Sequence, residues 1–300
     1  KSVEGLKANM VIGPTEVSKN KYDLLIVDES HRLKQRKNLT NYPSFDKANM
    51  KLNLDKNCDE LDWIINQSSN QILFYDKNQS IRPSDIDDIK FQDLKKNAHN
   101  LILSSQLRVK GQKKYELFID DLLNINSNKM FNDDNYELKL FDKIGDMHNE
   151  IKKKDIEEEG LCRMIAGFSW EWKHRKDKSY KDITIENHSF KWNTTNQDWI
   201  NSENAINEIG CIHTTQGYDL NFCGVIFGRE ISYNPEAKSI IINEDMYFDK
   251  YGKINSNSHD IKKYILNIYK TMLLRGILGT YIYVCDKDLR DYFMNYIKKY

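Results

Sequence analysis

The chain has 300 residues, and its 45 Lys and Arg balance its 45 Asp and Glu, for a net charge of zero. At about 100–200 residues per domain this is the length of two domains, each large enough to bury a core. Hydrophobic residues at 39% and charged residues at 30% exclude a disordered chain, and the balanced charge confines any nucleic-acid contact to a local groove.

The elements follow in chain order. Met10-Val11-Ile12 is a short apolar piece, and Gly13-Pro14-Thr15 is a turn signal. Tyr22–Asp28 is an apolar run ending in acids, which predicts a central parallel strand buried on both faces. Residues 34–58 are polar, contain Pro43 and read mostly as loop, and residues 59–70 have the spacing of an amphipathic helix. Gln71–Asp76 reads as a second buried strand, with a turn at Ile81–Ser84 and a short helix after it. A third strand is expected at Asn100–Ser104, then helices over 112–126 and 145–159, the latter ending at Gly160.

Leu161–Gly167 opens a second set of strands. Residues 168–204 hold Trp170, Trp172, Trp192 and Trp199 among Lys, Asn and Asp. Trp170 and Trp172 alternate as on a strand, which suits core packing. Core packing is the favoured reading; base stacking is the alternative, with the run Lys173, His174, Arg175, Lys176 and Lys178 a solvated loop or a phosphate contact. Further strands are expected at Ile209–His213, Gly224–Gly228 and Thr280–Cys285, a polar insert at 243–260, and helices over 261–274 and 288–299. Strands alternating with helices throughout predict α/β architecture with parallel sheets in two domains, 1–106 and 107–300.

The five cysteines are scattered and include no C-x-x-C pair, which argues for a reducing compartment, expected to be the cytoplasm, and against a zinc ribbon. No run of about 18 apolar residues occurs, so no membrane-spanning helix is read. The chain starts at Lys1 with no signal-peptide pattern, and is expected to begin inside a longer protein.

Five motifs carry chemistry. In Leu25-Ile26-Val27-Asp28-Glu29-Ser30-His31-Arg32 a strand delivers two acids at its carboxyl end, where open α/β sheets place ligands. Asp28 can hold Mg²⁺ through water while Glu29 polarises an attacking water. The same pair could instead be solvated acids at a strand end. Leu73–Ser80 brings Gln79 to the tip of the next strand, where it could sense a γ-phosphate. Ser105-Gln106-Leu107-Arg108 supplies a guanidinium that could stabilise charge on a transferring phosphoryl group, or a plain surface cation. Ile212–Asp219 packs His213, Thr214, Thr215, Gln216 and Gly217 into one loop rich in donors for phosphate, though a capped turn would use the same residues. Tyr269–Thr280 ends a helix at Arg275-Gly276, where an Arg also complements the helix dipole.

In this order the motifs resemble superfamily 1 helicases, and in particular the bacterial and phage family related to the Schlafen helicase-like domain. The phrases V-D-E-S-H-R-L, A-G-F-S-W-E-W, H-T-T-Q-G-Y-D-L and L-L-R-G-I-L-G-T-Y carry that resemblance over nearly the whole chain. It implies two RecA-like P-loop NTPase-type domains, the first truncated at its N-terminus, and a motor that hydrolyses ATP with Mg²⁺ on single-stranded nucleic acid, DNA rather than RNA. It implies Asp28 as the metal-holding acid, Glu29 as the water-activating acid, Gln79 as the sensor, and Arg108 and Arg275 as arginine fingers. His213, Thr214, Thr215 and Gln216 would couple nucleotide state to nucleic acid, with Gln216-Gly217 near the nucleotide. One departure matters: the phosphate loop G-x-x-x-x-G-K-[ST] is absent. Gly13–Lys19 has the wrong spacing, and Pro14 removes a donor. The loop is expected upstream of Lys1, so the chain alone should bind ATP poorly. The competing readings are a non-hydrolysing module that keeps the fold and binds nucleic acid or protein, and, less well supported, a nuclease using the two acids.

Overall fold

The structure is a computed structural model that describes the chain except residues 1–4, 6, 104–107, 175, 196–197, 216 and 255. Two compact units emerge: Lys1–Ile102 with Lys250–Asn257, and Leu103–Asp249 with Ser258–Tyr300.

The first unit contains α1 (Pro14–Val17), β1 (Tyr22–Val27), α2 (Tyr42–Lys51), α3 (Glu60–Gln67), β2 (Ser68–Leu73) and α4 (Asp88–Lys95). β1 and β2 pair in parallel, with Ile26 opposite Ile72. Successive side chains on a strand point to opposite faces. Leu25, Val27, Leu73 and Tyr75 therefore pack on a core of Leu33, Leu61, Ile64, Ile86 and Phe91. The opposite face shows Leu24, Ile26, Ile72 and Phe74, all exposed. The apolar run was expected to be buried on both faces, but its helices cover one.

Two further expectations are corrected in this unit. The segment 34–58 holds helix α2, because Pro43 sits in the first turn, where its missing N–H costs nothing, and Asn41 caps it by accepting from Ser44 N at 3.1 Å. Phe45 of this helix packs on Trp63 with ring centroids 4.6 Å apart. Of the strand expected at Asn100–Ser104, residues 100–103 form none, with Leu101, Ile102 and Leu103 exposed, and Ser104 lies outside the described residues.

The second unit runs through α5 (Gln112–Leu123), β3 (Glu137–Phe141), α6 (Ile144–Glu157), β4 (Cys162–Ala166), the hairpin β5 (Ile183–Ile185) and β6 (His188–Phe190), and β7 (Ile209–Cys211). It continues with α7 (Ile212–Thr215), β8 (Leu220–Phe227), and the hairpin β9 (Ile231–Asn234) and β10 (Ser239–Ile242). The short α8 (Lys250–Lys253) belongs to the first unit, and α9 (Ser258–Leu273), β11 (Gly276–Val284) and α10 (Lys287–Met294) complete the second. Five strands form one all-parallel sheet in the order β3-β11-β8-β4-β7. The protein is thus an α/β fold of the RecA-like kind, with its main sheet entirely parallel. The central strand β8 and its neighbour β4 are buried almost throughout, as expected when helices cover both faces. Gly224 faces Ile151 of α6, while Phe227, on the other face of the same strand, stacks on Tyr269 of α9 at 4.1 Å.

Trp192 and Trp199 are core residues, and Trp199 Nε1 donates to Glu208 Oε2 at 2.8 Å. The strand expected to carry Trp170 and Trp172 is irregular; its course is fixed by hydrogen bonds to the buried Asp182 rather than by a ladder. Both hairpins and β3 lie outside the strands read from sequence.

Candidate functional site

In the first unit the carboxyl ends of β1 and β2 come together. Ser30 ties them: its backbone N–H and its hydroxyl both donate to Phe74 O, each at 2.8 Å. Asp28 is exposed, and its Oδ1 accepts from Glu29 N at 2.9 Å. Glu29 sits at φ 52°, in the left-handed region, which costs a non-glycine residue on the order of 1–2 kcal/mol. Such strain is held only where surrounding contacts over-determine it, and it gathers at functional positions. Here the holding contacts are Ser30 and the buried His31, whose Nε2 lies 3.0 Å from Glu29 Oε2. His31 Nδ1 accepts from Asp76 N at 3.4 Å, which leaves the ring proton on Nε2, facing the Glu29 carboxylate.

Asp76 then holds Gln79. Its Oδ2 accepts from Gln79 Nε2 at 3.0 Å, and its Oδ1 accepts from Asn78 N at 2.9 Å. The other amide atom of Gln79, Oε1, is buried without a hydrogen-bond partner. The structure therefore joins three of the predicted residues, Asp28, Glu29 and Gln79, through His31 and Asp76. His31 was visible in the D-E-x-H spelling. Asp76 was visible only as an acid at a strand end, because its role depends on pairing across two parallel strands.

Among the described residues no cluster of three or more His, Cys, Asp and Glu could enclose a metal ion. Mg²⁺ does not need such a cage: it keeps waters and is commonly held by one or two carboxylates plus substrate phosphates. The open carboxylate of Asp28 beside Glu29 fits that donor set.

In the second unit the predicted residues also converge. Arg108 Nε lies 2.5 Å from Asp219 Oδ1, which joins the Arg108 motif to the loop after α7. Arg275 is 1% exposed, and its Nη1 donates to Tyr218 O at 3.4 Å, while Leu220 N donates back to Arg275 O at 3.1 Å. Both arginines thus hold the segment 218–220. Gly217 has φ 89°, a conformation that favours glycine. Thr214 and Thr215 are buried and turn inward: each hydroxyl donates to Cys211 O at 3.1 Å. In this conformation they cap their own turn. His213, expected on the strand, lies in α7, with its ring 5.5 Å from that of Phe168. Gln216 and Gln106 lie outside the described residues.

Parallel strands carrying an acid pair and a second acid-amide pair at their carboxyl ends define an α/β protein with a polar site at its strand ends. The chain belongs to the family described as Schlafen group 3, DNA/RNA helicase domain, whose model matches residues 4–286. It is also similar to the uncharacterized protein YPL245W of Saccharomyces cerevisiae, 33% identical over 175 residues. That match takes up 55% of this chain and 38% of the yeast protein.

Proposed function

We propose that this chain is part of a nucleic-acid-dependent ATPase of the helicase type, using Mg²⁺ and ATP to move on or remodel single-stranded nucleic acid, DNA rather than RNA. The observation that carries the reading is the strand-end cluster of Asp28, Glu29, His31, Asp76 and Gln79. Glu29 is the water-orienting base, held in its left-handed conformation by Ser30 and His31. Asp28 is the carboxylate that takes Mg²⁺, an ion that would neutralise charge on the phosphates. Gln79, with one amide atom fixed by Asp76, is the sensor of the γ-phosphate. Arg108 and Arg275 are the arginines that would stabilise the transferring group. Both hold the 218–220 segment, so a change in their partner would be felt in the loop containing His213, Thr214 and Gln216. The family's helicase name supports this reading.

A second reading, a non-hydrolysing binding module, would be favoured by a full-length sequence without a G-x-x-x-x-G-K-[ST] loop. The deciding experiment is phosphate release from ATP by the full-length gene product, with and without single-stranded DNA or RNA, beside Glu29→Gln. We expect stimulated turnover that falls by at least about 100-fold in the Gln variant, the scale of losing a positioned general base. Turnover no higher than that of the variant, in a folded protein, would reject the motor and leave the module.

A further inference from the structure

A cavity of about 220 Å³ opens in the second unit, lined by Ser169, Trp170, Glu171, Lys173, Tyr180, Asp182, Arg229, Met246 and Phe248. None of these residues belongs to the strand-end cluster of the first unit or to the arginine-held 218–220 segment. Tyr180 at 41% and Phe248 at 44% exposure are large side chains left open to solvent, and both face this one space. Drug-sized ligands take about 300–1,000 Å³, so the cavity admits a single ring system.

Its chemistry is aromatic and cationic. Arg229 is exposed at the rim, and among the described residues no carboxylate pairs with it. Its backbone is fixed, since Arg229 N and Glu230 N donate to Ser169 Oγ at 2.5 and 3.2 Å. Lys173 Nζ lies 5.4 Å from the Tyr180 ring centroid and 3.4 Å from Glu171 Oε2. Neither carboxylate of the wall is a free anion: Glu171 is paired with Lys173, and Asp182 accepts four hydrogen bonds from its own neighbours. Lys176, Lys178 and Lys181, near Lys173 and Tyr180 in the sequence, are exposed.

Flat rings beside Arg229, which no carboxylate among the described residues pairs, and the exposed ammonium of Lys173 suit a flat, anionic ligand: a base has a π-face to stack, and its phosphate needs a cation. We propose that this cavity seats one base of a single-stranded nucleic acid, stacked between Phe248 and Tyr180, with the adjoining phosphate on Arg229 and Lys173. The inference rests on the nucleic-acid partner of the proposed function and gives that partner a place. It also separates the tryptophans of the 168–204 segment: Trp192 and Trp199 build the core, and Trp170 walls the base site.

The test is fluorescence anisotropy of a labelled oligo(dT) and a labelled oligo(U), without nucleotide, across a salt series. Full-length protein is compared with Arg229→Ala, Phe248→Ala and Phe248→Trp. The replaced side chains are exposed, and thermal melting confirms that each variant folds. Phe248→Ala should bind about 5- to 100-fold more weakly, and Phe248→Trp should restore binding. Arg229→Ala should lower the slope of log Kd on log salt by about one. The strand bound more tightly by wild type identifies DNA or RNA as the source of the base. Unchanged binding in both Ala variants overturns the proposal, as does a wild-type protein that binds neither strand. ATP turnover in the same preparations separates the two ideas. Glu29-dependent hydrolysis with unaffected pocket variants leaves the motor and removes the pocket; weakened binding without hydrolysis does the reverse.

Discussion

Asp182 is the tie that shapes the loop carrying Lys173 and Trp170. Its carboxylate accepts from the backbone N–H groups of Lys173 at 2.7 Å, His174 at 2.9 Å and Trp192 at 3.1 Å, and from His174 Nδ1 at 2.6 Å. Its side chain is fully shielded from solvent. In Asp182→Ala all four donors lose their acceptor. Water can reach Lys173, which is exposed, but the His174 and Trp192 groups are buried. At about 1–3 kcal/mol for each buried donor left unsatisfied, and allowing for partial rehydration, the loss should be on the order of 3–5 kcal/mol. For a domain of this size that is a fall in Tm of roughly 6–20 °C. Asp182→Asn keeps one oxygen acceptor and turns an NH₂ toward two of the donors, so it should recover only part of the loss. Urea and thermal unfolding measure both variants. A loss below about 1 kcal/mol in the Ala variant, or an Asn variant as stable as wild type, would refute the reasoning. The pH dependence has a defined sign. Burial would raise the Asp182 pKa, but the backbone and His174 hydrogen bonds outweigh it and hold the group below its usual value. The stability it contributes is present above the ordinary carboxylate pKa of about 4 and is lost as pH falls through the lower folded value. Asp182→Asn should flatten that acid limb.

Glu60 should act in the opposite direction. Burial pushes its pKa up to about 7, against the opposing hydrogen bond from Lys34 N at 2.8 Å. The folded state therefore holds a proton that the unfolded state has released, so Glu60 lowers stability as pH rises from about 4.5 to 7. Glu60→Gln should remove that slope in urea melts at several pH values, and an unchanged slope would show the group to be ionised throughout. The two faces of β1 make a second contrast. Leu25→Ala removes a side chain packed on the core and should cost about 1–3 kcal/mol, whereas Ile26→Thr, on the exposed face, should stay within about 0.5 kcal/mol. Equal losses by chemical denaturation would mean that the second face is also covered.

The order of the polar motifs and most of the scaffold can be read along the chain. Alternating apolar strands and helices imply the α/β class, because parallel strands must be linked by crossovers, usually helices. The acid box was legible because Asp28 and Glu29 follow directly on a strand, so their position is a local fact. Helix α2 was hidden because Pro43 signals a break and a helix start alike, and only the cap by Asn41 decides between them. Tertiary structure alone decided what depended on distant partners. The run Leu24–Val27 is apolar on both sides, and hydropathy cannot say that helices cover only one. Asp76 reaches its position because β2 lies parallel to β1, forty-odd residues away. Arg108 and Asp219 meet across more than a hundred residues, whereas the hydroxyls of Thr214 and Thr215 bond a carbonyl only three or four residues back. The first pairing is a product of the sheet and the second of one helical turn. A sequence shows which side chains can bond, and the fold settles which of their possible partners lie within reach.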